Sequence, residues 1–216
     1  KAQAVIARTW AIYNSNRFEA DKFHLCVTTQ CQVYKPQIAN KNIEKAIIDT
    51  QHKILVFEGQ PINAFYHASN GGISASPSES WKMSDYPYFK SEFDFISFNN
   101  KFSYASISTR EDLKYFLQSE KSNFFGNEHY LFRWKRKSSD KEIYNLLQKH
   151  QIINKNSEIL DLKVIKRGSS GRVIKLEISQ NNPSRKIILV KDDIRKYLNF
   201  LPSNLFIIDK LNDNLW

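Results

Sequence analysis

Three runs near the C-terminal end alternate or cluster their apolar residues, and they constrain the fold more than any other feature of the sequence. They cover Ile159–Ile165, Arg172–Ile178 and Lys186–Val190. A period of two places alternate side chains on the same face of a sheet, which is typical of half-buried strands. The segment Gly168–Gly171 separates the first two runs and has the glycine and serine content of a tight turn. We therefore predict an antiparallel hairpin.

Elsewhere, helical and extended patterns are mixed along the chain. Apolar residues at helical spacing predict helices over residues 1–15, Asn42–Gln51, Ser108–Ser119, Asp140–His150 and Asp192–Phe200. β-Branched and aromatic residues predict extended segments over residues 23–34, Lys53–Phe57, Ile62–Tyr66, Phe132 with Trp134, and Asn204–Asp209. Because no strand–helix–strand rhythm recurs, we predict an α+β fold. We expect one large domain over residues 1–216, with a smaller strand-rich part at its C-terminal end.

The composition allows a packed core and a basic surface. Of the 216 residues, 41% are hydrophobic and 25% are charged, which is typical of a folded chain. The formal net charge of +10 fits an anionic partner, and nucleic acid, a membrane surface and bacterial wall polymers are the candidates. Since the basic residues are dispersed, without a helical arginine stripe or zinc-finger spacing, we expect no nucleic-acid partner.

The segment YHASNGG, at residues 66–72, combines an aromatic residue, a histidine and a serine with paired glycines. The chain has only six glycines, and a tight bend needs only one. Two interpretations are open. The segment forms a small-residue loop at a cleft, where the backbone approaches a ligand closely, or it forms a bend in which His67 merely bonds a neighbouring backbone group.

Cys26 and Cys31 are the two cysteines of the chain. They form a short-loop disulfide, as expected in an oxidising compartment, or they are two thiolate ligands of a zinc ion, or they are separate buried thiols. In an extended segment, His24 and Cys26 would face the same way, which suits a metal site. The residues alone leave these alternatives open.

No sequence motif identifies a catalytic centre. The nucleophile elbow, the P-loop, the HExxH helix and the dinucleotide fingerprint are all absent, and no pair of carboxylates has a spacing typical of a hydrolase. Glu79, in the loop before Trp81, is the carboxylate of most interest because it follows the histidine-containing segment. We expect it to be a solvated loop residue.

Several separated segments, in order along nearly the whole chain, are similar to the motifs of one known family. They are KAQAVIARTWAIYN, HLCVTTQCQVYK and YHASNGG with its following Trp81, and then FRW at 132–134, RGSSGRVIKLEI at 167–178 and IRKYLNFLPSNLFII at 194–208. The first three resemble the KAQA-x-x-AR-T-Y helix, the D-x-C-D-x-T-H-x-Q-x-Y segment and the YHS-x-x-GG loop of the stage II sporulation protein D and LytB amidase-enhancer family. The last three resemble the ending of the same family.

The resemblance implies a bacterial protein that acts on the glycan strands of peptidoglycan. It would be a lytic transglycosylase, or an enhancer of an N-acetylmuramoyl-L-alanine amidase. A lytic transglycosylase needs a single carboxylic acid, which protonates the glycosidic oxygen and then accepts the proton of the C6 hydroxyl. The catalytic glutamate of the family precedes the KAQA motif, so we expect it upstream of Lys1 and expect residues 1–216 to be inactive. Lys1 and Arg8 match family positions near the active site, as cations that hold substrate oxygens.

The resemblance also implies a set of sugar contacts. Tyr66 is expected to stack on a saccharide, and His67 and Ser69 are expected to hydrogen-bond its hydroxyl or N-acetyl groups. The paired glycines would let the backbone approach the sugar ring. The full set of expected substrate contacts is Tyr34, Tyr66, His67, Ser69, Gly71 and Gly72.

Zinc is the one cofactor that the resemblance suggests, although the lytic transglycosylase reaction itself requires no cofactor. Some relatives look as though they hold zinc through one histidine and two cysteines in this region. Cys26 and Cys31 have the matching spacing, but the histidine before the second cysteine is Gln30 here, so His24 or His67 would replace it. We expect a location in the cell envelope, reached through a signal or anchor outside these residues, and no transmembrane segment within them.

Overall fold

The computed structural model describes residues 1–28, 30–32, 40–96 and 106–216. Helices and antiparallel strands are mixed along the chain, which confirms the predicted α+β class. The chain divides into two units, Lys1–Ala68 and Ser69–Trp216. The expectation that residues 1–216 form one domain stays a prediction. Among the described residues, no helix has both the length and the apolar character that crossing a membrane requires.

The unit Lys1–Ala68 contains two helices and a short hairpin among its described residues. Its elements are α1 (Ala2–Tyr13), a 3-10 turn (Glu19–Asp21), α2 (Lys41–Asp49), β1 (Val56–Phe57) and β2 (Gln60–Pro61). Both predicted helices are confirmed. Helix α2 begins after Asn40, whose side chain accepts a hydrogen bond from the Ile43 N–H at 3.0 Å and so caps the first turn.

β1 and β2 form a hairpin, and its second strand lies earlier than the sequence predicts. Phe57 pairs with Gln60 around Glu58 and Gly59, which both have positive φ angles of 49° and 77°. A two-residue turn of this kind starts the return strand at once. The predicted strand Ile62–Tyr66 is therefore wrong, because the ladder has ended at Pro61.

The predicted extended structure over residues 23–34 is wrong for the part that the structure describes. Residues 23–28 and 30–32 form bends and turns, with no strand among them. The physical reason is a disulfide between Cys26 and Cys31, which holds their Cα atoms 5.7 Å apart and so excludes a straight strand across five residues. Residues 33 and 34 lie outside the described part of the chain.

Helix α1 contributes two buried residues, Thr9 and Trp10, to the packing of this unit. The Thr9 hydroxyl accepts a hydrogen bond from the Leu55 N–H at 2.9 Å and donates to the Val5 carbonyl at 2.7 Å. Trp10 and Ala64 are the buried apolar residues of this unit within the described ranges. The core of the unit is thus small, and many of its apolar side chains are exposed: Ile12, Tyr13, Ile43, Ile47, Ile48, Leu55 and Val56.

The unit Ser69–Trp216 has a three-stranded antiparallel sheet among its described residues. Its elements are α3 (Pro77–Ser80), α4 (Arg110–Gln118), a 3-10 turn (Lys121–Asn123), α5 (Asp140–Lys149), β3 (Ile159–Arg167), β4 (Val173–Gln180), β5 (Arg185–Val190) and α6 (Asp192–Tyr197). The strand order is β3-β4-β5, with β4 in the centre. The predicted C-terminal hairpin, the third strand and the helices α4, α5 and α6 are confirmed.

The sheet buries one face against helices of the same unit. Val173, Leu176 and Ile178 of β4 are fully buried, and they form one core cluster with residues such as Ile143 of α5 and Ile194 of α6. Helix α5 is well capped, because Ser139 and Glu142 exchange the two hydrogen bonds of a capping box. A second core cluster of the unit is rich in aromatic residues and includes Phe116, Phe124 and Phe132.

Two predicted extended segments of this unit are not strands. Phe132 closes a turn, since its N–H donates to the His129 carbonyl at 2.8 Å, and the following Trp134 is irregular. The predicted strand Asn204–Asp209 is also irregular. Its carbonyl groups bond singly rather than in a ladder: that of Asn204 accepts from the Val173 N–H at 2.8 Å, and that of Phe206 accepts from Arg167 Nη1 at 2.8 Å.

Candidate functional site

The paired glycines of the unit Ser69–Trp216 are buried in a tight bend. Gly71 and Gly72 have φ angles of +69° and +98°, which favour glycine, and a Cβ on Gly72 would lie 2.8 Å from the Phe124 ring. The Asn70 side chain accepts the Gly72 N–H at 2.8 Å, and that of Ser69 accepts the Gly71 N–H at 3.3 Å. The positive φ angle thus explains both glycines, and the close approach of Phe124 is a second reason at Gly72. The expected contacts of Ser69, Gly71 and Gly72 with a sugar stay predictions.

Two partly buried arginines hold the carbonyl groups of the same bend. Arg133 Nη1 donates to the Gly71 carbonyl at 2.6 Å, and Arg172 Nη2 donates to the carbonyls of Asn70 at 3.1 Å and Ile73 at 3.0 Å. Burial lowers the pKa of each guanidinium to about 10, so both remain charged at neutral pH. Both arginines lie in segments that resemble the family, FRW and RGSSGRVIKLEI, but no spacing marks their role, because an arginine that binds backbone carbonyls follows no fixed pattern.

Glu79 is a buried carboxylate, which corrects the expectation of a solvated loop residue. Its side chain is 8% exposed. Oε1 accepts hydrogen bonds from the Ser169 N–H at 2.6 Å and hydroxyl at 2.7 Å, and Oε2 accepts from the Ser170 N–H at 3.2 Å and from the Ser170 hydroxyl. The carboxylate therefore fastens α3 to the turn between β3 and β4. With both oxygens occupied, this geometry supports a structural role for Glu79 and not that of a proton donor.

The two cations expected at the active site both contact the end of α2 in the unit Lys1–Ala68. Arg8 Nη1 donates to the carbonyls of Thr50 at 2.7 Å and Lys53 at 2.9 Å. Lys1 Nζ forms an ion pair with Asp49 at 2.9 Å. A cation is favourable at the C-terminal end of a helix, where the carbonyl groups carry partial negative charge. Arg8 thus has a structural role, and its predicted role toward substrate stays a prediction.

A surface cavity of about 680 Å³ lies beside Arg8 in the same unit. A volume of this order suits a small-molecule ligand. Its apolar lining consists of Ile12, Ile47, Ile48 and Ile54. Its polar lining consists of Arg8, Gln51 and His52. Of these residues, the family-like motifs identify Arg8 alone, because isoleucines at helical spacing ordinarily face a core and so mark no site.

Gln32 links α1 to Tyr66 within this unit. Its amide nitrogen donates to the Ala7 carbonyl at 3.0 Å, and its amide oxygen accepts from the Tyr66 hydroxyl at 2.9 Å. Partial burial raises the pKa of the Tyr66 phenol above its ordinary value, so the hydroxyl remains protonated at neutral pH. Tyr66 therefore lies at α1, next to the cysteine segment. The adjacent His67 is exposed, and Tyr34 lies outside the described residues.

Cys26 and Cys31 are joined by a disulfide, which is one of the three interpretations that the sequence left open. Within the described ranges, no group of three His, Cys, Asp or Glu side chains is placed to hold a metal ion. His24 Nδ1 lies 2.9 Å from the Ser15 carbonyl. Zinc binds thiolates, and the sulfurs of a disulfide are not thiolates. The donor set in its disulfide form does not fit zinc, and zinc binding after reduction stays a prediction.

Thiol titration separates these forms. We expect the unfolded, unreduced chain to show no reactive thiol, and the reduced chain to show two, because the chain has two cysteines. If the reduced chain takes up zinc, Cys26→Ser should abolish the uptake, while the exposed His150→Ala should leave it unchanged. Two free thiols in the untreated chain would contradict the disulfide.

Comparison with family models divides the chain at nearly the same place as its structure does. The family model described as "Stage II sporulation protein" matches residues 1–57, and the one described as "Domain of unknown function (DUF8618)" matches residues 75–216. The described residues that line the cavity, from Arg8 to Ile54, lie within the first match. The buried Glu79 and the partly buried Arg172 lie within the second.

Three curated relatives resemble part of the chain. The "Amidase enhancer" of Bacillus subtilis (strain 168) is 37% identical over 94 residues, which are 44% of this chain and 12% of that protein. The "Stage II sporulation protein D" of the same strain is 34% identical over 107 residues, 42% of this chain and 31% of that protein. An uncharacterized protein of Brachyspira hyodysenteriae is 38% identical over 81 residues, 35% of this chain and 21% of that protein. The chain therefore matches less than a third of the length of each relative.

Proposed function

We propose that this chain, which belongs to the stage II sporulation protein D and LytB family at its N-terminal end and to the DUF8618 family over residues 75–216, acts on the peptidoglycan of the bacterial cell envelope. One observation carries the proposal. The segment that matches the sporulation family folds so that Arg8 lines a cavity of ligand size, and every described residue around that cavity comes from the matched segment. This cavity is our candidate binding site, and it lies in the part that relates the chain to proteins named for sporulation and for amidase enhancement.

In the finer form of the proposal, the protein is a lytic transglycosylase. A carboxylic acid gives its proton to the glycosidic oxygen as the bond from that oxygen to C1 breaks. The C6 hydroxyl of the same sugar then closes onto C1, and its proton returns to the carboxylate. No water enters and no second carboxylate is needed, in contrast to hydrolysis. Our proposal locates this acid before Lys1, on the basis of the family resemblance, and the hydrogen bonds of Glu79 argue against that residue as the acid.

Within this reaction, residues 1–216 would bind and orient the glycan strand. Arg8 supplies a permanent positive charge, and its position is fixed by the carbonyls of Thr50 and Lys53. Tyr66 supplies an aromatic ring that the Gln32 amide holds beside α1. Aromatic rings and fixed cations are suited to sugar faces and acidic sugar substituents.

Product analysis tests the finer proposal. We expect residues 1–216 to release no anhydromuramyl ends from purified sacculi, since the proposal locates the acid outside them. Addition of the sequence that precedes Lys1 should restore release, as measured by mass spectrometry, and replacement of its glutamate by glutamine should abolish it. Release of anhydromuramyl ends by residues 1–216 alone would contradict the proposal.

A second candidate function is enhancement of an amidase without cleavage by this protein. The relative named "Amidase enhancer", at 37% identity, favours it. In this case residues 1–216 should accelerate release of stem peptides by a purified N-acetylmuramoyl-L-alanine amidase, while no anhydromuramyl ends form with or without the preceding sequence. The same two product measurements therefore separate the two functions.

A further inference from the structure

The cavity of the unit Lys1–Ala68 contains a cation that forms no ion pair with any described carboxylate. Arg8 uses Nη1 for two backbone carbonyls, while its Nε and Nη2 make no hydrogen bond to the described residues. Asp49 is paired with Lys1 at 2.9 Å and with Lys45 at 3.8 Å, and no carboxylate of the described chain forms an ion pair with Arg8. The guanidinium therefore retains an edge that can donate two further hydrogen bonds.

The wall of the cavity is apolar, although it is open to water. Ile12, Ile47 and Ile48 line it, with 45%, 47% and 68% of their surfaces exposed. Helix α2 is amphipathic, and such helices normally bury their apolar face, yet none of its residues is buried. An uncovered apolar wall beside an uncompensated cation is typical of a site for a ligand with both an anionic and an apolar part.

The charge and the size of this ligand follow from the surroundings of Arg8. The planar fork of a guanidinium fits the two oxygens of a carboxylate. Because Arg8 lies at the C-terminal end of α2, where carbonyl groups carry partial negative charge, a dianionic phosphate is less favoured than a monoanion. The isoleucines next to it are suited to a short aliphatic group joined to the carbon that bears the carboxylate.

We propose that this cavity binds a 2-substituted propanoate group, with its carboxylate on the free edge of Arg8 and its methyl group against the isoleucines of α1 and α2. The proposal rests on the proposed function for its biological source. Two components of peptidoglycan carry this group: the lactyl ether of muramic acid, when no peptide is attached, and the C-terminal alanine of a peptide. Both present the same carboxylate, methyl and heteroatom around one carbon.

Titration of residues 1–216 with four small molecules, followed by NMR, tests the chemistry. N-acetylmuramic acid and N-acetyl-D-alanine carry the propanoate, while N-acetylglucosamine and the lactyl amide of N-acetylmuramic acid lack it. We expect at least one of the two acids to bind and the amide to bind about tenfold more weakly, because it loses a charge-assisted hydrogen bond. Binding of N-acetylmuramic acid alone assigns the lactyl group, and binding of N-acetyl-D-alanine alone assigns the peptide terminus. Equal binding of the acid and its amide, or binding of neither acid, overturns the proposal.

A pair of isoleucines on one helix gives a matched control. Ile48 lines the cavity and Ile43 does not, and both are on α2, with exposed fractions of 68% and 49%, so glutamate should be tolerated at either position. We expect Ile48→Glu to weaken binding about tenfold by charge repulsion, and Ile43→Glu to change it less than about twofold. Equal losses of affinity in both variants would show that the added negative charge weakens binding wherever it lies, and would contradict binding in the cavity.

A conservative change of the cation gives a second, independent readout. Arg8→Lys keeps a positive charge but removes the free edge of the guanidinium, so we expect weaker binding of the acid with circular dichroism close to that of the unchanged chain. Arg17→Lys alters another arginine of the same unit, which is exposed and not part of the lining, and should have no effect. Unchanged affinity in Arg8→Lys would contradict bidentate binding.

These outcomes separate the proposal from the function on which it rests. A chain that binds an acid but not sacculi keeps its propanoate site and loses its assignment to peptidoglycan. A chain that binds sacculi but neither acid keeps the function and loses the site.

Discussion

Replacing Glu79 by alanine is expected to lower the free energy of unfolding of the unit Ser69–Trp216 by about 3–5 kcal/mol. The substitution removes the acceptor of four hydrogen bonds from Ser169 and Ser170. Two of the donors are backbone N–H groups, which have no other partner within the turn, and each buried donor left unsatisfied costs about 1–3 kcal/mol. Urea denaturation followed by circular dichroism measures the change.

Glu128→Ala is the control for this experiment, because Glu128 is an exposed carboxylate of the same unit. Its effect should stay within about 0.5 kcal/mol, as is usual at the surface. Glu79→Gln should fall between the two, since the amide can still accept hydrogen bonds with one oxygen. A loss below about 1 kcal/mol in Glu79→Ala would contradict the structural role, and Glu79 would again be a candidate proton donor.

Gly72→Ala is expected to lower the stability of the same unit by about 3 kcal/mol, because two costs add. The new Cβ would lie 2.8 Å from the Phe124 ring, which is itself fully buried and has little room to move. The φ angle of +98° adds a strain of about 1–2 kcal/mol for any residue with a side chain. Chemical denaturation again provides the measurement.

Gly126→Ala separates the two costs. Gly126 also has a positive φ, +67°, but a Cβ there would meet no atom within 4 Å. Only the backbone strain applies, so the expected loss is about 1 kcal/mol. If Gly72→Ala lowers the free energy of unfolding no more than Gly126→Ala does, the contact with Phe124 does not explain the paired glycines. Close approach of a ligand would then be the better explanation.

The sequence predicted the regular elements well where a local pattern determines them. Local residues are enough to predict the apolar patterns of β3, β4 and β5 and the Asn40 cap before α2, because each depends on positions close in sequence. Two of the failures share a cause. Phe132 and the segment Asn204–Asp209 have the composition of strands, but they pair with no strand among the described residues, and composition alone does not reveal a partner.

The candidate site was predictable only in part, because its contacts join residues far apart in sequence. Arg8 was identified from a motif, while its cavity depends on isoleucines of α2 that stay exposed in the fold. The contacts of Glu79 span about ninety residues, to Ser169 and Ser170. Arg133 and Arg172 bind carbonyl groups, which every residue possesses, so no residue type marks their partners.

A competition experiment on sacculi tests the central claim most directly, namely that residues 1–216 bind peptidoglycan through the cavity beside Arg8. The chain is bound to purified sacculi, and release is measured as N-acetylmuramic acid, N-acetyl-D-alanine or N-acetylglucosamine is added. We expect one of the two acids to displace the chain while N-acetylglucosamine does not, and we expect Ile48→Glu to be retained less than Ile43→Glu. Retention that neither acid reduces, and that Ile48→Glu leaves unchanged, would contradict the account.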